Sequence, residues 1–458
     1  MSAEKQNIYF VGAGGIGMAA LERYFLAKGC KVAGYDRTPS ELTSALIAEG
    51  VDITFTDDPE QIPEAFRNPA DTLVVYTPAI PCEHKGLNWF RNEGFEVVKR
   101  AAVLGRITRA ETALCFAGTH GKTTTSSMAA HLLTQSGVGC NAFLGGVLRN
   151  YGTNCLLDSR SPYAVIEADE YDRSFHHLSP TIAVITSTDP DHLDIYGTEE
   201  AYLESFAHFT ELIVPGGSLL IHNDLKLKPR VADGVKTYTY GIGKGDFHAA
   251  NLKIANGRIT FDFVTPGGVA ENMELGVPLE VNVDNAIAAC GGVWLLQNEA
   301  VRADDYKKAM LTFLGAKRRF EFWLKQDGGK AIIDDYAHHP DELNASIRSV
   351  RRLYPGKRMV VAFQPHLFSR TRDFAPEFAA ALSQADEVLL LPIYPARELP
   401  IDGVTSELIL KDIVCANKRI VSPVELVEFA KAGNFDVFMT VGAGDINLLL
   451  PEIVNAYK

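Results

Sequence analysis

The segment from Gly118 to Thr124 carries residue types that bind nucleotide phosphates. It reads Gly-Thr-His-Gly-Lys-Thr-Thr, after an apolar stretch and before a helical pattern. In such loops backbone N–H groups surround the phosphates, a lysine reaches the β- and γ-phosphates, and a hydroxyl binds Mg²⁺. Phe116 replaces the first glycine of the full motif, so a lysine at an ordinary helix start is the alternative. We predict an ATP site formed by Gly118, Thr119, His120, Gly121, Lys122, Thr123 and Thr124.

A second glycine loop lies near the N-terminus. Gly12, Gly14 and Gly17 fit G-x-G-x-x-G, and Asp36 follows Gly17 by 19 residues. This spacing suits a pyrophosphate on a helix N-terminus and an acid on a ribose. NAD binding, a different diphosphate such as a nucleotide sugar, and a plain glycine turn all fit the loop. Because the chain carries two phosphate loops, ATP plus a second nucleotide is favoured over NAD alone.

Acidic residues follow the next two predicted strands. Glu167 opens an acidic run that ends at Glu170, and Asp191-His192 lies beyond a later strand. The carboxyl ends of parallel strands face one ligand crevice, and Mg²⁺ prefers oxygen ligands. We therefore predict a divalent metal site beside the ATP phosphates.

Strand-like and helical patterns alternate along most of the chain, which predicts an α/β protein with parallel sheets. We predict three domains: a Rossmann-like domain over 1–107, a P-loop-type central ATPase domain over 108–313, and a Rossmann-like C-terminal domain over 314–458. A helical stretch is predicted from Asn285 to Asn298. The predicted strands include Asn7–Val11, Lys31–Tyr35, Thr72–Tyr76, Ala113–Ala117, Tyr163–Ala168, Thr181–Thr186, Ala331–Ile333, Met359–Phe363 and Val437–Val441.

The composition narrows the function classes. The chain has 458 residues, 47% of them hydrophobic, and a formal charge of -13. A globular protein with a net negative charge is a poor general binder of nucleic acid. No apolar run is long enough for a membrane span, the N-terminus lacks a signal-peptide pattern, and the seven cysteines are scattered. We therefore expect reduced thiols and a cytoplasmic location.

Six ordered segments resemble the Mur ligase family of ATP-dependent cell-wall ligases. They are AGTHGKTTT, IEADEYDRSF, TSTDPDHLDIYGT, NVDNAIAA, FLGAKRRFEF and DDYAHHPDE. The match extends from the first strand to VGAGDI near the C-terminus. Within the family, GAGGIGM and FQPHLFSRTRD are most similar to the members that join L-alanine to UDP-N-acetylmuramate. The members that attach a murein tripeptide during recycling are the alternative, and an NAD-dependent oxidoreductase is a weaker one.

The resemblance implies an acyl-phosphate reaction using ATP and Mg²⁺ or Mn²⁺, by a monomer or homodimer. It assigns roles by position. Lys122, Glu167, His192, Arg319 and Asp335 would serve catalysis, and Thr123, Glu167 and His192 would hold the metal. Asn282, Asn285, Arg319 and Asp335 would contact ATP. The remaining assignments concern the other two substrates. The UDP end would be held by Gly12, Gly14, Gly15, Gly17, Asp36 and Thr77, and alanine by His338, His339, His366 and Arg370.

Two positions depart from the family pattern. Val281 stands where members carry histidine, which removes one expected adenine contact. Leu367 stands where members often carry arginine after the QPH sequence, so Arg370 becomes the main candidate for binding the alanine carboxylate.

Overall fold

The computed structural model describes residues 5–255, 257–297, 302–318, 320–326, 329–396 and 398–457. Among these residues the chain forms three mostly parallel sheets with helices between the strands, as predicted. By the density of internal contacts it divides into two units. The first holds the residues up to Ala249 together with Phe263–Ala270 and Asp284–Ala309, and the second holds Ala250–Asp262, Glu271–Val283 and the chain from Met310 onward.

The N-terminal sheet has the order β3-β2-β1-β4-β5 and is parallel throughout. The order reverses beside β1, where ligands bind in open α/β sheets. Its strands are β1 (Asn7–Val11), β2 (Lys31–Tyr35), β3 (Asp52–Thr54), β4 (Thr72–Tyr76) and β5 (Glu96–Lys99). Its helices are α1 (Ile16–Ala27), α2 (Glu41–Ala48), α3 (Lys85–Asn92) and α4 (Arg100–Ala110), with 3₁₀ turns at Pro59–Gln61 and Glu64–Phe66.

The central sheet includes the order β12-β11-β10-β6-β9-β7-β8, and only β8 in this set runs antiparallel to its neighbour. Its strands are β6 (Thr112–Ala117), β7 (Asn141–Leu148), β8 (Thr153–Leu156), β9 (Tyr163–Glu167), β10 (Ile182–Ile185), β11 (Ser218–His222), β12 (Lys236–Ile242), β13 (Phe247–Ala255), β14 (Arg258–Thr265) and β15 (Gly268–Glu274). Its helices are α5 (Lys122–Gln135), α6 (Leu193–Tyr196), α7 (Glu199–Glu211), α8 (Val281–Gln297) and α9 (Ala303–Thr312), with a 3₁₀ segment at Tyr171–His177.

The third sheet has the order β16-β17-β21-β18-β19-β20, and only β16 in this set is antiparallel. Its strands are β16 (Glu321–Lys325), β17 (Ala331–Asp335), β18 (Met359–Phe363), β19 (Glu387–Leu390), β20 (Asn417–Ile420) and β21 (Val437–Val441). Its helices are α10 (Pro340–Leu353), α11 (Phe368–Asp373), α12 (Ala375–Leu382), α13 (Glu407–Leu410), α14 (Pro423–Ala432) and α15 (Leu450–Asn455), with a 3₁₀ turn at Ile446–Leu449.

Buried strands and helices form the cores of each unit. One cluster in the first unit joins side chains of the N-terminal and central sheets, such as Ile8, Phe10, Cys115 and Ile166. A second cluster lies beneath the third sheet and includes Ile332, Val360 and Phe438. The N-terminal and central sheets therefore share apolar packing within the first unit.

Five predicted elements have other ends in the structure. Three strands differ by one residue at an end: β6 begins at Thr112, β9 ends at Glu167, and β10 covers only Ile182–Ile185. The other two are a helix and a strand. The helix predicted from Asn285 begins at Val281, because one further turn, Val281 to Asp284, precedes it, and the Asp284 carboxylate in that turn suits the helix dipole. Asn298, the predicted end, lies outside the described residues. The strand predicted over Ala331–Ile333 continues to Asp335, because Asp334 and Asp335 pair with β21.

The seven cysteines are all free thiols. In the described ranges, no helix combines the length and apolar character needed to cross a membrane.

Candidate active site

The ATP loop predicted from the sequence joins β6 to α5. Gly121 caps α5 with φ +82°, and Lys122 is the first helical residue. No side chain of the described residues caps this helix start, and its first turn holds no acid. Such a helix N-terminus favours an anion, because its N–H groups and the helix dipole point toward it.

Residues after β10 hold the loop in place. The Thr119 hydroxyl donates to the carbonyl of Asp189 at 2.7 Å and lies 2.8 Å from the Tyr202 hydroxyl. The His120 N–H donates to Ser187 Oγ at 2.7 Å. These bonds connect the ends of two neighbouring strands of the central sheet and fix the loop between them.

Lys122 is held on the loop by three partners. Its ammonium group donates to the carbonyls of Gly118 at 2.6 Å and Thr119 at 3.3 Å. It also lies 2.8 Å from Oε2 of Glu170, a residue that is only 1% exposed. Burial raises the pKa of Glu170, whereas the adjacent ammonium opposes that rise. The lysine therefore lies where phosphates would come.

Thr123 and Glu167 form the predicted oxygen pair of the metal site. The Thr123 hydroxyl donates to Glu167 Oε1 at 2.9 Å, and the Gly145 N–H donates to Glu167 Oε2 at 2.7 Å. Burial raises the pKa of Glu167, and these two hydrogen bonds lower it in part. One hydroxyl and one carboxylate in contact fit the oxygen preference of Mg²⁺.

His192, the third predicted metal residue, lies beside Glu170 and not beside the Thr123–Glu167 pair. Its Nε2 is 3.9 Å from Glu170 Oε1, and its backbone has φ +52°. No group of three or more His, Cys, Asp or Glu side chains is preformed for a metal ion in the described ranges. Phosphate and water oxygens would have to complete any ion site here.

Three further residues predicted to contact ATP, Thr124, Asn282 and Asn285, lie on or beside helices α5 and α8. Thr124 lies half-buried in the first turn of α5. Asn285 Oδ1 accepts from the Thr125 hydroxyl at 3.1 Å, so Asn285 lies against that turn. Asn282 donates its side-chain N–H to the carbonyl of Val277 at 3.1 Å.

The first glycine loop follows β1 and is lined by the predicted UDP-side residues. A Cβ on Gly12 would lie 2.6 Å from Thr77 Cγ2. Asp36 Oδ2 accepts from the Gly14 N–H at 2.6 Å. Gly15 caps α1, and Gly17 lies in its first turn. The structure therefore brings Thr77 and Asp36 to the loop from the ends of β4 and β2.

Asp335 ends β17 in the third sheet. Its Oδ2 accepts from the Ser346 hydroxyl at 2.6 Å and its Oδ1 from the Phe320 N–H at 3.2 Å. Arg319 lies outside the described residues. Its neighbour Arg318 donates to the carbonyls of Gly442 at 2.6 Å and Gly444 at 3.1 Å, so Arg318 anchors a loop rather than facing solvent.

The predicted alanine residues lie near the ends of β17 and β18. The rings of His338 and His366 are 6.3 Å apart, and His366 stacks on Tyr394 at 5.9 Å. His339 instead caps α10 by accepting from the Asp341 N–H.

Arg370 lies in α11, four residues after His366, and is half-buried. Leu367 caps the start of this helix with φ +70°. Within the described part of the chain, the Arg370 guanidinium has no hydrogen-bond or ion-pair partner. It is therefore available to a carboxylate.

Glu170 is the site residue that the sequence did not single out. The acidic run contained it, but no spacing rule distinguished it from Glu167 or Asp169. Its role became visible only through its contacts with Lys122 and His192.

Three sequence profiles match successive parts of the chain. The Mur ligase family catalytic domain matches residues 7–112, the Mur ligase middle domain residues 116–293, and the Mur ligase glutamate ligase domain residues 318–446.

Full-length relatives agree with these profiles. A UDP-N-acetylmuramate–L-alanine ligase of Parabacteroides distasonis is 56% identical over 447 residues, which are 97% of this chain and 96% of the relative. The crystal structure of UDP-N-acetylmuramate-alanine ligase from Thermotoga maritima is similar with a TM-score of 0.76 at 26% identity, covering 98% of this chain and 99% of that one. A murein peptide ligase of Psychrobacter arcticus shares the fold, with a TM-score of 0.62 at 20% identity and 98% coverage of both chains.

Proposed function

The chain belongs to the Mur ligase family, and we infer that it joins L-alanine to the carboxylate of UDP-N-acetylmuramate with consumption of ATP, in peptidoglycan synthesis. The observation that carries this conclusion is the 56% identity with a relative of that name across 97% of the chain. The murein peptide ligase shares only the fold with this chain, at 20% identity. The relatives therefore favour free alanine over a tripeptide as the amine substrate.

We propose that ATP binds at the start of α5. The Lys122 ammonium would leave Glu170 and bind the ATP phosphates. The backbone N–H groups of Gly121 and of the first turn of α5 would surround these phosphates. The loop is fixed by hydrogen bonds of Thr119 and His120 to the segment after β10, and the Gly118 carbonyl accepts from Lys122. Thr124 lies in the first turn of α5. Asn282 and Asn285 are proposed at the adenine side by resemblance, as is Arg319 for the γ-phosphate.

Thr123 and Glu167 would hold Mg²⁺ or Mn²⁺, since their oxygens already meet at 2.9 Å. Bound there, the ion would neutralise charge on the transferred phosphoryl group. His192 would act through Glu170 or a water molecule, because its ring reaches Glu170 and not Glu167 in this structure.

The muramyl and amino-acid substrates are proposed at separate loops. The UDP end would lie on Gly12, Gly14, Gly15 and Gly17, with Asp36 and Thr77 at its sides. Alanine would lie near His338 and His366, with its carboxylate on Arg370, because a guanidinium can bind both carboxylate oxygens. His339 and Asp335 would support this region through α10.

The chemistry follows from the weak electrophilicity of a carboxylate. Transfer of the γ-phosphoryl group to the muramyl carboxylate gives an acyl phosphate and ADP. The alanine amine then attacks the acyl carbon, and phosphate leaves. Attack requires the unprotonated amine. We propose His366 over Asp335 as the proton acceptor, because Asp335 already accepts two hydrogen bonds.

We also propose the three domains as 1–107, 108–313 and 314–458. The cytoplasm is the proposed compartment, since ATP and nucleotide-activated sugar acids are intracellular metabolites. A monomer or a homodimer would suffice, because each proposed site is drawn from one chain.

The test is phosphate release from ATP with Mg²⁺ and UDP-N-acetylmuramate, with and without L-alanine, and with tripeptide in parallel. We expect release that requires alanine and a product with the mass of UDP-N-acetylmuramoyl-alanine. Release with tripeptide alone would overturn the amine assignment while retaining the phosphoryl chemistry. No release with any amine would overturn the ligase itself.

A further inference from the structure

Arg100 lies where the first glycine loop meets the central domain. It is the first residue of α4, directly after β5, and β5 lies beside β4 in the N-terminal sheet. Its side chain reaches the first turn of α1: a Cβ on Gly17 would lie only 2.6 Å from Arg100 Nη1. Glycine at 17 therefore leaves the space that the guanidinium occupies.

The loop itself has few N–H groups left for an anion. Those of Gly12 and Ala13 donate to the carbonyl of Tyr35 at 2.7 and 2.9 Å, and that of Gly15 donates to Gly12. The Gly14 N–H donates to Asp36. A diphosphate on this loop thus has only the first turn of α1 for backbone donors, and the Asp36 carboxylate lies close by. A nearby cation is needed to offset that negative charge.

The present partner of Arg100 is a weak one. Its Nη2 lies 3.5 Å from Asp169 Oδ2, and the two side chains are 23% and 41% exposed. A well-formed guanidinium–carboxylate pair has N–O distances of about 2.7–2.9 Å. The pair therefore orients the guanidinium without using its full binding capacity, and an arriving phosphate would meet little competition.

We propose that Arg100 binds the diphosphate of the nucleotide-sugar substrate at the first glycine loop, and that Asp169 is its positioning residue. This inference rests on the proposed function for the identity of the ligand. Asp169 belongs to the same acidic segment as Glu167 and Glu170. One short segment thus supports the phosphate-binding cation of both nucleotide sites.

A neighbouring ion pair provides the matched control. Lys99 Nζ lies 2.9 Å from Asp172 Oδ2, so Lys99 connects the start of α4 to the same segment. A Cβ on Gly17 would meet only Arg100 atoms among its nearest neighbours. If Arg100 only attached α4 to the central domain, Lys99→Ala and Arg100→Ala would have similar effects.

The experiment measures the Kd of UDP by calorimetry without ATP, and the KM of UDP-N-acetylmuramate and of ATP in turnover. Loss of a charge-assisted hydrogen bond predicts that Arg100→Ala raises the UDP Kd and the muramyl KM about 10- to 100-fold. The KM of ATP should stay within about threefold, and Lys99→Ala should change the UDP Kd by less than about threefold. Arg100→Lys should restore only part of the affinity, because lysine is a point charge without the planar fork.

An unchanged UDP Kd in Arg100→Ala, or equal effects of Arg100→Ala and Lys99→Ala, would overturn the proposal. If Arg100→Ala does not fold, Arg100→Lys against Lys99→Ala decides the question by the same Kd comparison. Ligase activity of the wild-type protein, measured separately, distinguishes failure of this proposal from failure of the proposed function. UDP binding that depends on Arg100 in a protein without ligase activity would overturn the function and keep the binding residue.

Discussion

The ammonium nitrogen of Lys122 lies 2.8 Å from Oε2 of Glu170, a carboxylate that is almost fully buried. The lysine proposed to contact ATP is therefore already neutralised within the protein. An ATP phosphate has to compete with Glu170 for this cation or share it. The pair links the phosphate loop after β6 to the acidic segment after β9.

Lys122→Ala should abolish ATP-dependent phosphate release. The variant loses the positive charge at the transferred phosphoryl group and leaves Glu170 buried without its cation. We expect turnover to fall by about 100-fold or more, since electrostatic contacts of this kind dominate phosphoryl transfer. The UDP Kd, measured by calorimetry, should stay at the wild-type value. Wild-type turnover in this variant would remove the assignment of the loop.

Glu170→Gln tests the competition between carboxylate and phosphate. Glutamine keeps the shape but removes the charge, so Lys122 should bind ATP more tightly, with a Kd several-fold lower by calorimetry. The apo protein should melt at a lower temperature, because a buried ammonium has lost its counter-charge. Asp172→Asn is the control, since this acid of the same segment pairs with Lys99. A weaker ATP affinity in Glu170→Gln would show that the carboxylate assists the bound state.

The sequence predicted several strands residue for residue, including Asn7–Val11 and Met359–Phe363, because these are short apolar runs between clear turn signals. It also located both glycine loops. It did not locate the start of α8, where Asn282 and Asp284 interrupt the apolar pattern of the first turn. Boundaries of this kind depend on helix-end electrostatics, which an apolar pattern does not record.

The contacts between side chains of the candidate site could not be predicted from the sequence. Thr123 and Glu167 are 44 residues apart, yet their oxygens meet at 2.9 Å because β6 and β9 are parallel neighbours. The position of Glu167 was predicted from its strand end. Glu170 and Arg100 could not be chosen in the same way, since several acids and bases share those loops, and only their contacts distinguish them.

Arg370→Ala should weaken alanine binding selectively. Arg370 is half-buried, and its guanidinium has no protein partner in the part of the chain described, so a substrate carboxylate is its expected partner. The KM of alanine should rise about 10- to 100-fold, while that of ATP changes by less than about threefold. Arg372→Ala is the matched control, because Arg372 is exposed and pairs with Asp373. Equal effects on alanine and ATP in initial rates of phosphate release would place the alanine site elsewhere.

Gly121→Ala should impair ATP use beyond the cost of backbone strain. Gly121 has φ +82°, and a Cβ there would lie 2.7 Å from Asn285 Oδ1. Gly137 has a similar φ of +78° just after the end of α5, and a Cβ there would have no neighbouring heavy atom within 4 Å among the described residues. Both substitutions should destabilise the fold by about 1–2 kcal/mol. Only Gly121→Ala should raise the KM of ATP, and an equal rise in Gly137→Ala would attribute the effect to strain alone.

His131 should make the stability of the protein sensitive to acid. It is buried in α5 with Nδ1 2.8 Å from the Tyr151 hydroxyl, and burial lowers its pKa from 6.5 to about 4. The unfolded chain therefore takes up this proton at a higher pH than the native chain. The contribution of the neutral imidazole to the free energy of unfolding is fully present above about pH 6.5. It is lost as pH falls toward about 4, and the total loss is up to about 3 kcal/mol. Urea unfolding at about pH 7 and about pH 5 measures this loss. The free energy of unfolding should fall more between the two pH values in wild type than in His131→Gln. His177→Gln, at an exposed position, should keep the wild-type pH dependence. Identical pH dependence in wild type and His131→Gln would mean that the buried imidazole accepts a proton in the native state as readily as in the unfolded chain.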